Sequence, residues 1–358
     1  MEKTLRSGWT TGACATAAAL AAFRALVTGQ FPDPVTIALP RGRTPTFPLA
    51  RAEWIEGRAR VGIIKDAGDD PDVTHGLEIQ ATLRLLHESN GLVFRAGEGV
   101  GRITKPGLPL PPGEPAINPG PRAQITANLQ AEAARLGVGA DAEVTLSIPG
   151  GVDIAKRTLN PRLGIVEGLS VLGTTGVVVP FSCAAWIHSI HRGIDVARAI
   201  GLDHLVGSTG RTSEASVQKL FSLPEEALID MGDFAGAVLK YLRRQPVARF
   251  TLAGGFGKLT KLAQGHLDLH SSRSTVDMTA LAAILRDLGA PYSAVCEAQK
   301  GATSAVALAV ANREGLDLAG VIARRARATA LACVGGGPEI HVIAFGRDGS
   351  ILARTDQS

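Results

Sequence analysis

The stretch from His204 to Ala263, HLVGSTGRTSEASVQKLFSLPEEALIDMGDFAGAVLKYLRRQPVARFTLAGGFGKLTKLA, decides the fold. Short apolar runs bounded by glycine and proline alternate with longer segments of helical spacing. The pattern predicts strands at 204–206, 227–230 and 247–252, with helices at 213–221, 234–243 and 258–263. Strands alternating with helices form parallel sheets covered on both faces, because the right-handed crossover lays each helix back on the sheet. Upstream, Ser182 caps a helix running to about residue 200. Downstream, helices at 276–288 and 318–334 precede a hairpin, 340–345 with 351–354, turned by Asp348-Gly349. Residues 182–358 therefore read as a Rossmann-like, three-layer αβα domain.

The other half reads differently. Strand candidates lie at 35–39, 59–64, 77–85, 91–95 and 142–148, and helices at 13–27 and 122–136, the second closed by Gly137. Between them, 97–122 is long and irregular, with Pro106, Pro109, Pro111, Pro112, Pro115 and Pro119. A loop of that length is usually functional or disordered. Residues 1–181 read as a two-layer α+β domain, so the chain combines α+β and α/β architecture in two domains.

Composition narrows the class. With 358 residues, 45% hydrophobic and 20% charged, the chain can bury two cores and is no disordered segment. Four cysteines, none in a C-x-x-C pair, exclude a disulfide scaffold and a zinc ribbon and suit the cytoplasm. The net charge of +4 mildly favours an anionic partner, while an aromatic content of 4% leaves too few stacking platforms for a nucleic-acid binder. No apolar run reaches the roughly 18 residues of a membrane span, and Gly8 to Gly12 interrupt the basic start before Ala13, so the segment reads as a capped helix rather than a signal peptide.

Ligands of an open parallel sheet bind beyond the carboxyl ends of its strands. Three loops take that position: Gly207-Ser208-Thr209-Gly210, the turn holding Asp230 and Asp233, and Gly254-Gly255-Phe256-Gly257-Lys258. The first offers backbone N–H groups and a positive helix end to an anion, and the aspartates suit ribose hydroxyls. The same glycines also serve as ordinary strand-to-helix turns. Gly257-Lys258 is followed by Leu259, so it is no P-loop, and Gly97-x-Gly99-x-Gly101 enters no helix, so it is no dinucleotide fingerprint.

The densest polar cluster is Lys65-Asp66-Ala67-Gly68-Asp69-Asp70-Pro71-Asp72-Val73-Thr74-His75. It suits a metal, acid–base work or a polar ligand, and equally an Asx-rich turn that satisfies its own backbone. Gly8-Trp9-Thr10-Thr11-Gly12 and Gly173-Thr174-Thr175-Gly176 repeat Thr-Thr-Gly as paired anion cradles. His188 and His191 share a helix face, for which a structural role is expected.

Taken in order, further motifs make the chain recognisable: Gly99-Val100-Gly101-x-x-Thr104-Lys105-Pro106-Gly107-Leu108, Gly113-Glu114-Pro115-Ala116-Ile117-Asn118-Pro119, Thr158-x-Asn160-Pro161-x-Leu163-Gly164-Ile165, Gly232-Asp233-Phe234 and Gly257-Lys258-x-x-Lys261-Leu262-Ala263. With the polar cluster and both Thr-Thr-Gly turns, they resemble the CbiD family, the cobalt-precorrin-5B C1-methyltransferases of corrin-ring biosynthesis. The resemblance runs from about residue 5 past 265. It departs at Phe181 and Cys183, where many members carry Met and Glu.

The resemblance implies S-adenosylmethionine as methyl donor, a tetrapyrrole as acceptor and no protein-bound metal. Donor contacts are expected from Gly207, Ser208, Thr209, Gly210, Asp230, Asp233, Gly254 and Gly255. The acceptor's carboxylate arms are expected on Thr10, Thr11, Lys65, Lys105, Arg122, Lys156, Arg157, Thr174 and Thr175. Any base is expected among Asp66, Asp69, Asp70 and His75, with the active site in a cleft between the domains. No nucleic acid or membrane partner is expected, and a homo-oligomer is compatible with this reading. The rival is a non-enzymatic tetrapyrrole carrier, which needs no donor pocket.

Overall fold

Helix α1 (Thr11–Thr28) is the spine of the first half of the chain, and every residue from Thr11 to Phe23 is buried. A helix apolar on all sides belongs in a core or a membrane. By length and composition this one would cross a membrane, yet 78% of the window is packed inside the protein. Its start is set by Thr10, whose hydroxyl accepts the Ala13 N–H at 3.1 Å, and its end by left-handed Gly29.

The computed structural model describes residues 5–86 and 91–357 and divides into two units, Met1–Cys183 and Ala184–Ser358. In the first, α1 packs on a five-stranded sheet of β1 (Arg51–Ile55), β2 (Arg58–Ile64), β3 (Glu78–Leu85), β4 (Leu92–Ala96) and β5 (Ala142–Ser147). The order is β1-β2-β3-β5-β4, antiparallel except for the parallel pair β4 and β5. Helix α2 (Pro119–Leu136) packs beside α1 and ends on left-handed Gly137. The alanines of α1 let the sheet approach closely, and Phe23, Ile63, Ile79, Leu83 and Leu146 are sealed between the layers. Each such side chain contributes about 1.5–3 kcal/mol of burial.

The irregular stretch is ordered, by pairing with a distant segment. Gly101 N–H donates to the Leu169 carbonyl at 2.9 Å, Asn118 N–H to Val171 at 3.0 Å, and Ile103 pairs with Ile165. Val100, Ile103, Ala116 and Ile117 are buried there. Such pairing leaves no periodicity in the sequence.

The second unit holds β6 (His204–Ser208), β7 (Leu228–Asp230), β8 (Arg249–Gly255), β9 (Glu339–Phe345) and β10 (Ile351–Arg354), in the order β7-β6-β8-β9-β10. The first four are parallel and β10 is antiparallel to β9, so the sheet is mixed. Side chains alternate between two apolar clusters. Leu205, Phe250, Leu252 and Val342 face one, and Val206, Ala253 and Ile343 the other. The helices are α3 (Cys183–Ala199), α4 (Arg211–Phe221), α5 (Ala235–Arg244), α6 (Phe256–Ala263), α7 (Met278–Asp287), α8 (Tyr292–Lys300), α9 (Ser304–Arg313) and α10 (Leu318–Val334).

The expected elements at 204–206, 213–221, 234–243, 318–334 and 340–345 are present within a few residues of their bounds. In the run 35–39 the regular strand is Val35–Thr36, and Ile37 and Leu39 continue the pairing through N–H bonds to the Pro45 and Arg43 carbonyls at 3.1 and 2.8 Å before Pro40 turns the chain. Strand β1 and helices α8 and α9 were not expected from the sequence.

Candidate active site

The cluster at 65–75 follows β2 and folds back on itself. Lys65 is 1% exposed, and its ammonium donates to Thr74 Oγ1 at 2.6 Å and pairs with Asp72. Asp72 Oδ1 in turn accepts the Thr74 N–H at 2.8 Å. Burial alone would raise the Asp72 carboxyl, but Lys65 and Thr74 outweigh it and hold it below its ordinary range. Arg6 grips both oxygens of Asp66, at 2.5 and 2.8 Å, and the Gly68 N–H adds a third bond. Together they lower that carboxyl to about 2. Asp69 Oδ2 accepts the Arg6 N–H at 2.7 Å, and Asp70 Oδ1 the Phe181 N–H at 2.8 Å. His75 Nδ1 accepts the Ala67 N–H at 3.0 Å, which puts a neutral ring's proton on Nε2.

This arrangement corrects two expectations. A carboxyl at about 2 and tied to Arg6 is a poor base, so Asp66 does not suit that role. Lys65 is sealed in the core and cannot reach an acceptor's arms. The glycines of these motifs have a packing reason. A Cβ on Gly8 would stand 2.0 Å from the Ala67 carbonyl carbon, and one on left-handed Gly68 2.1 Å from the Arg6 carbonyl oxygen.

The two Thr-Thr-Gly turns do meet. Gly8 and Trp9 pair with Val178 and Val177, Thr10 N–H donates to Gly176 at 3.0 Å, and Gly12 N–H to Leu172 at 3.0 Å. Gln124 Nε2 holds the Gly173 and Thr174 carbonyls at 2.9 and 3.1 Å. The donors an anion would need are already used: Thr10 N–H goes to Gly176, Gly12 N–H to Leu172 and Ala13 N–H to the Thr10 hydroxyl, and Thr175 Oγ1 lies 3.3 Å from both the Val177 nitrogen and its carbonyl oxygen. Thr11 is 4% exposed. Burial pushes the neighbouring Cys14 thiol up to about 12, which rules it out as a nucleophile.

The remaining cations separate. Arg122 is committed to its own loop, donating to Ile117 and Pro115 carbonyls and to Glu114, and stacking over Phe94 at 5.3 Å. The Lys105 stem lies where a Gly164 Cβ would stand. Lys156 is exposed and bonds Asp153 at 2.7 Å, and Arg157 is exposed beside it. His191 stacks on Tyr241 with ring centroids 3.9 Å apart, and Tyr241 donates to Asp195 at 2.6 Å.

The carboxyl edge of the second unit's sheet is built differently. The register sets Ser208 beside Asp230 on one side and Ala253 on the other. Gly254 and Gly255 are the last residues of β8 rather than a loop, and α6 begins at Phe256. A Cβ on Gly254 would meet Thr209 Oγ1 at 2.9 Å, so the glycine lets Thr209 lie over the strand end. Lys258, in the first turn of α6, donates to the Thr209 carbonyl at 2.8 Å and stands 3.1 Å from Asp233 Oδ1. That last contact is an ion pair without hydrogen-bond alignment, and Oδ1 is sealed from water with no hydrogen bond. Ser208 Oγ, in a side chain fully buried, also has no partner. Native interiors rarely leave such groups unsatisfied; among the described residues Gln124 Oε1, His191 Nε2 and Arg192 Nε are also without a hydrogen bond, and Ser208 Oγ and Asp233 Oδ1 are the pair that lies at this strand edge.

Comparison with known proteins decides the family. The family model described as CbiD matches residues 1–180, and the one described as CbiD, C-terminal domain, matches 268–356. The chain belongs to the CbiD family. It is 57% identical over 355 residues to a cobalt-precorrin-5B C(1)-methyltransferase of Bradyrhizobium sp. strain BTAi1, covering 99% of this chain and 94% of that one. A protein of the same name from Paramagnetospirillum magneticum strain AMB-1 is 59% identical over 353 residues and 98% of both chains. A crystal structure of the cobalamin biosynthesis protein cbiD from Archaeoglobus fulgidus is 27% identical with a TM-score of 0.41, covering 75% of this chain and 83% of that one.

Among the described residues of this CbiD chain, no group of three His, Cys, Asp or Glu side chains is placed to hold a metal ion. Sequence reasoning missed two residues. Arg6 lies sixty positions from Asp66 and carries no pattern of its own. Lys258 falls in the third strand-end loop and in a family motif, but the sequence gives it no individual role, since its bonds to Thr209 and Asp233 join separate loops.

Proposed function

We propose that this chain is an S-adenosylmethionine-dependent methyltransferase that methylates C1 of cobalt-precorrin-5B, giving cobalt-precorrin-6A in cobalamin biosynthesis. The observation that carries this reading is 57–59% identity along nearly the whole chain to enzymes of that name.

The donor belongs at the carboxyl edge of the second unit, which we take to be a Rossmann-like layered domain. The unsatisfied Ser208 Oγ and the ion-paired Asp233 beside it fit a polar ligand at that edge. Asp230 and Asp233 would hold ribose hydroxyls, and the Gly210 N–H, at the positive end of α4, would hold a carboxylate, the Thr209 N–H being spent on the Ala253 carbonyl at 2.9 Å. The bound donor supplies a sulfonium methyl whose transfer to carbon releases a neutral thioether that needs no acid. The protein's work is then alignment and exclusion of water, which is where large rate factors arise.

The acceptor belongs to the first unit. Its carboxylate arms would meet Lys105, Lys156 and Arg157, with the exposed Thr174 nearby in the paired turns. Asp69, Asp70 and His75 remain the residues to receive a proton if one leaves the ring. All four cysteines are thiols, which suits the reducing cytoplasm.

Incubation of the purified chain with S-adenosylmethionine and cobalt-precorrin-5B, followed by mass spectrometry, tests the reading. Transfer of one methyl to the ring supports it. Acceptor binding with no methylated product supports the carrier instead.

A further inference from the structure

We propose that Lys258 is the positioning residue of the donor site, acting through Asp233. The inference rests on the donor reading above and adds a residue to it. Lys258 reaches both neighbouring loops: it donates to the Thr209 carbonyl after β6 and pairs with Asp233 after β7, while itself following β8. A second lysine one turn on, Lys261, donates to the Leu269 carbonyl at 2.9 Å, and Leu269 N–H donates to the Asp233 carbonyl at 2.9 Å. Asp233 is thus held at its side chain by Lys258 and at its backbone through Leu269.

The placement of Lys258 is unfavourable by itself. An ammonium in the first turn of a helix faces the positive end of the dipole, and here Asp233 and the Thr209 carbonyl offset that repulsion. The geometry also leaves work for Asp233. Lys258 stands at Oδ1 without hydrogen-bond alignment, and although Oδ1 is sealed, the Asp233 side chain keeps 23% of its surface. The exposed part is the rest of the Asp233 side chain. Lys258 fixes the inner oxygen so that the outer one is preset for a ribose.

Isothermal titration of the full chain with S-adenosylhomocysteine and with its 2′-deoxy analogue tests this. The parent protein should bind and should prefer the ribose form. Lys258→Met should weaken binding about 10-fold or more and erase the preference. Lys258→Arg should restore part of both, which separates positioning from a defect in folding. Losses in Lys258→Met and Asp233→Asn should overlap in the double variant, because both act on one contact. Unchanged affinity and preference in Lys258→Met, or losses that multiply, would overturn the proposal. A parent protein that binds neither compound would instead overturn the donor site on which it rests.

Discussion

The loop between β2 and β3 and the carboxyl edge of the second unit's sheet are both rich in aspartate, glycine and lysine, yet they are opposite kinds of place. In the loop, Lys65, Asp66, Asp69, Asp70, Asp72, Thr74 and His75 all have protein partners. At the strand edge, two buried polar atoms have no hydrogen bond. A dense run of polar residues in a sequence reports a loop that must satisfy its own backbone. A buried group without a hydrogen bond is the exception in a native interior and calls for a cause outside its own loop.

That contrast predicts the largest effect at Lys65. Lys65→Met removes one partner of a buried pair and should cost about 3–5 kcal/mol in urea unfolding, because Asp72 is left uncompensated. If the variant matched the parent in stability, the loop would lose its structural reading and Lys65 would again be open to a ligand role.

A second satisfied network sharpens the comparison with a smaller effect. Glu132 lies on α2 between Arg135 and Arg24, whose bonds outweigh burial and hold its carboxyl at about 2, against 4.5 for an ordinary glutamate. The folded value is the lower one, so this stabilisation is complete above about pH 4.5 and is lost as pH falls through about 2. Glu132→Gln should lower stability at pH 6 by about 1 kcal/mol and flatten the acid slope below pH 4.5. A slope identical to that of the parent would mean that Glu132 is not held by its two arginines.

What was legible in the sequence follows from what has a local cause. Thr10 and Gly137 end helices by chemistry visible within a few residues. The β6 to α6 alternation shows because each piece is apolar and bounded by turns. Strand β1, Arg51-Ala52-Glu53-Trp54-Ile55, lies at the sheet edge, is mostly exposed and carries two charges in five residues, so its short polar-apolar alternation is a weak signal. Helices α8 and α9 are short, with Pro291 and Gly301 beside them. Ser208, Asp230 and Asp233 could be placed together at one sheet edge because strand ends are readable. Their relation through Lys258 could not, since it depends on three loops separated in sequence.

The central claim is that the donor is held at Asp233. Titration of S-adenosylmethionine into the parent and Asp233→Asn tests it most directly, with thermal unfolding to verify the fold. The account predicts binding to the parent and affinity about 10-fold or more weaker in the variant at unchanged stability. Equal affinity in both would contradict it and move the donor away from this edge of the sheet.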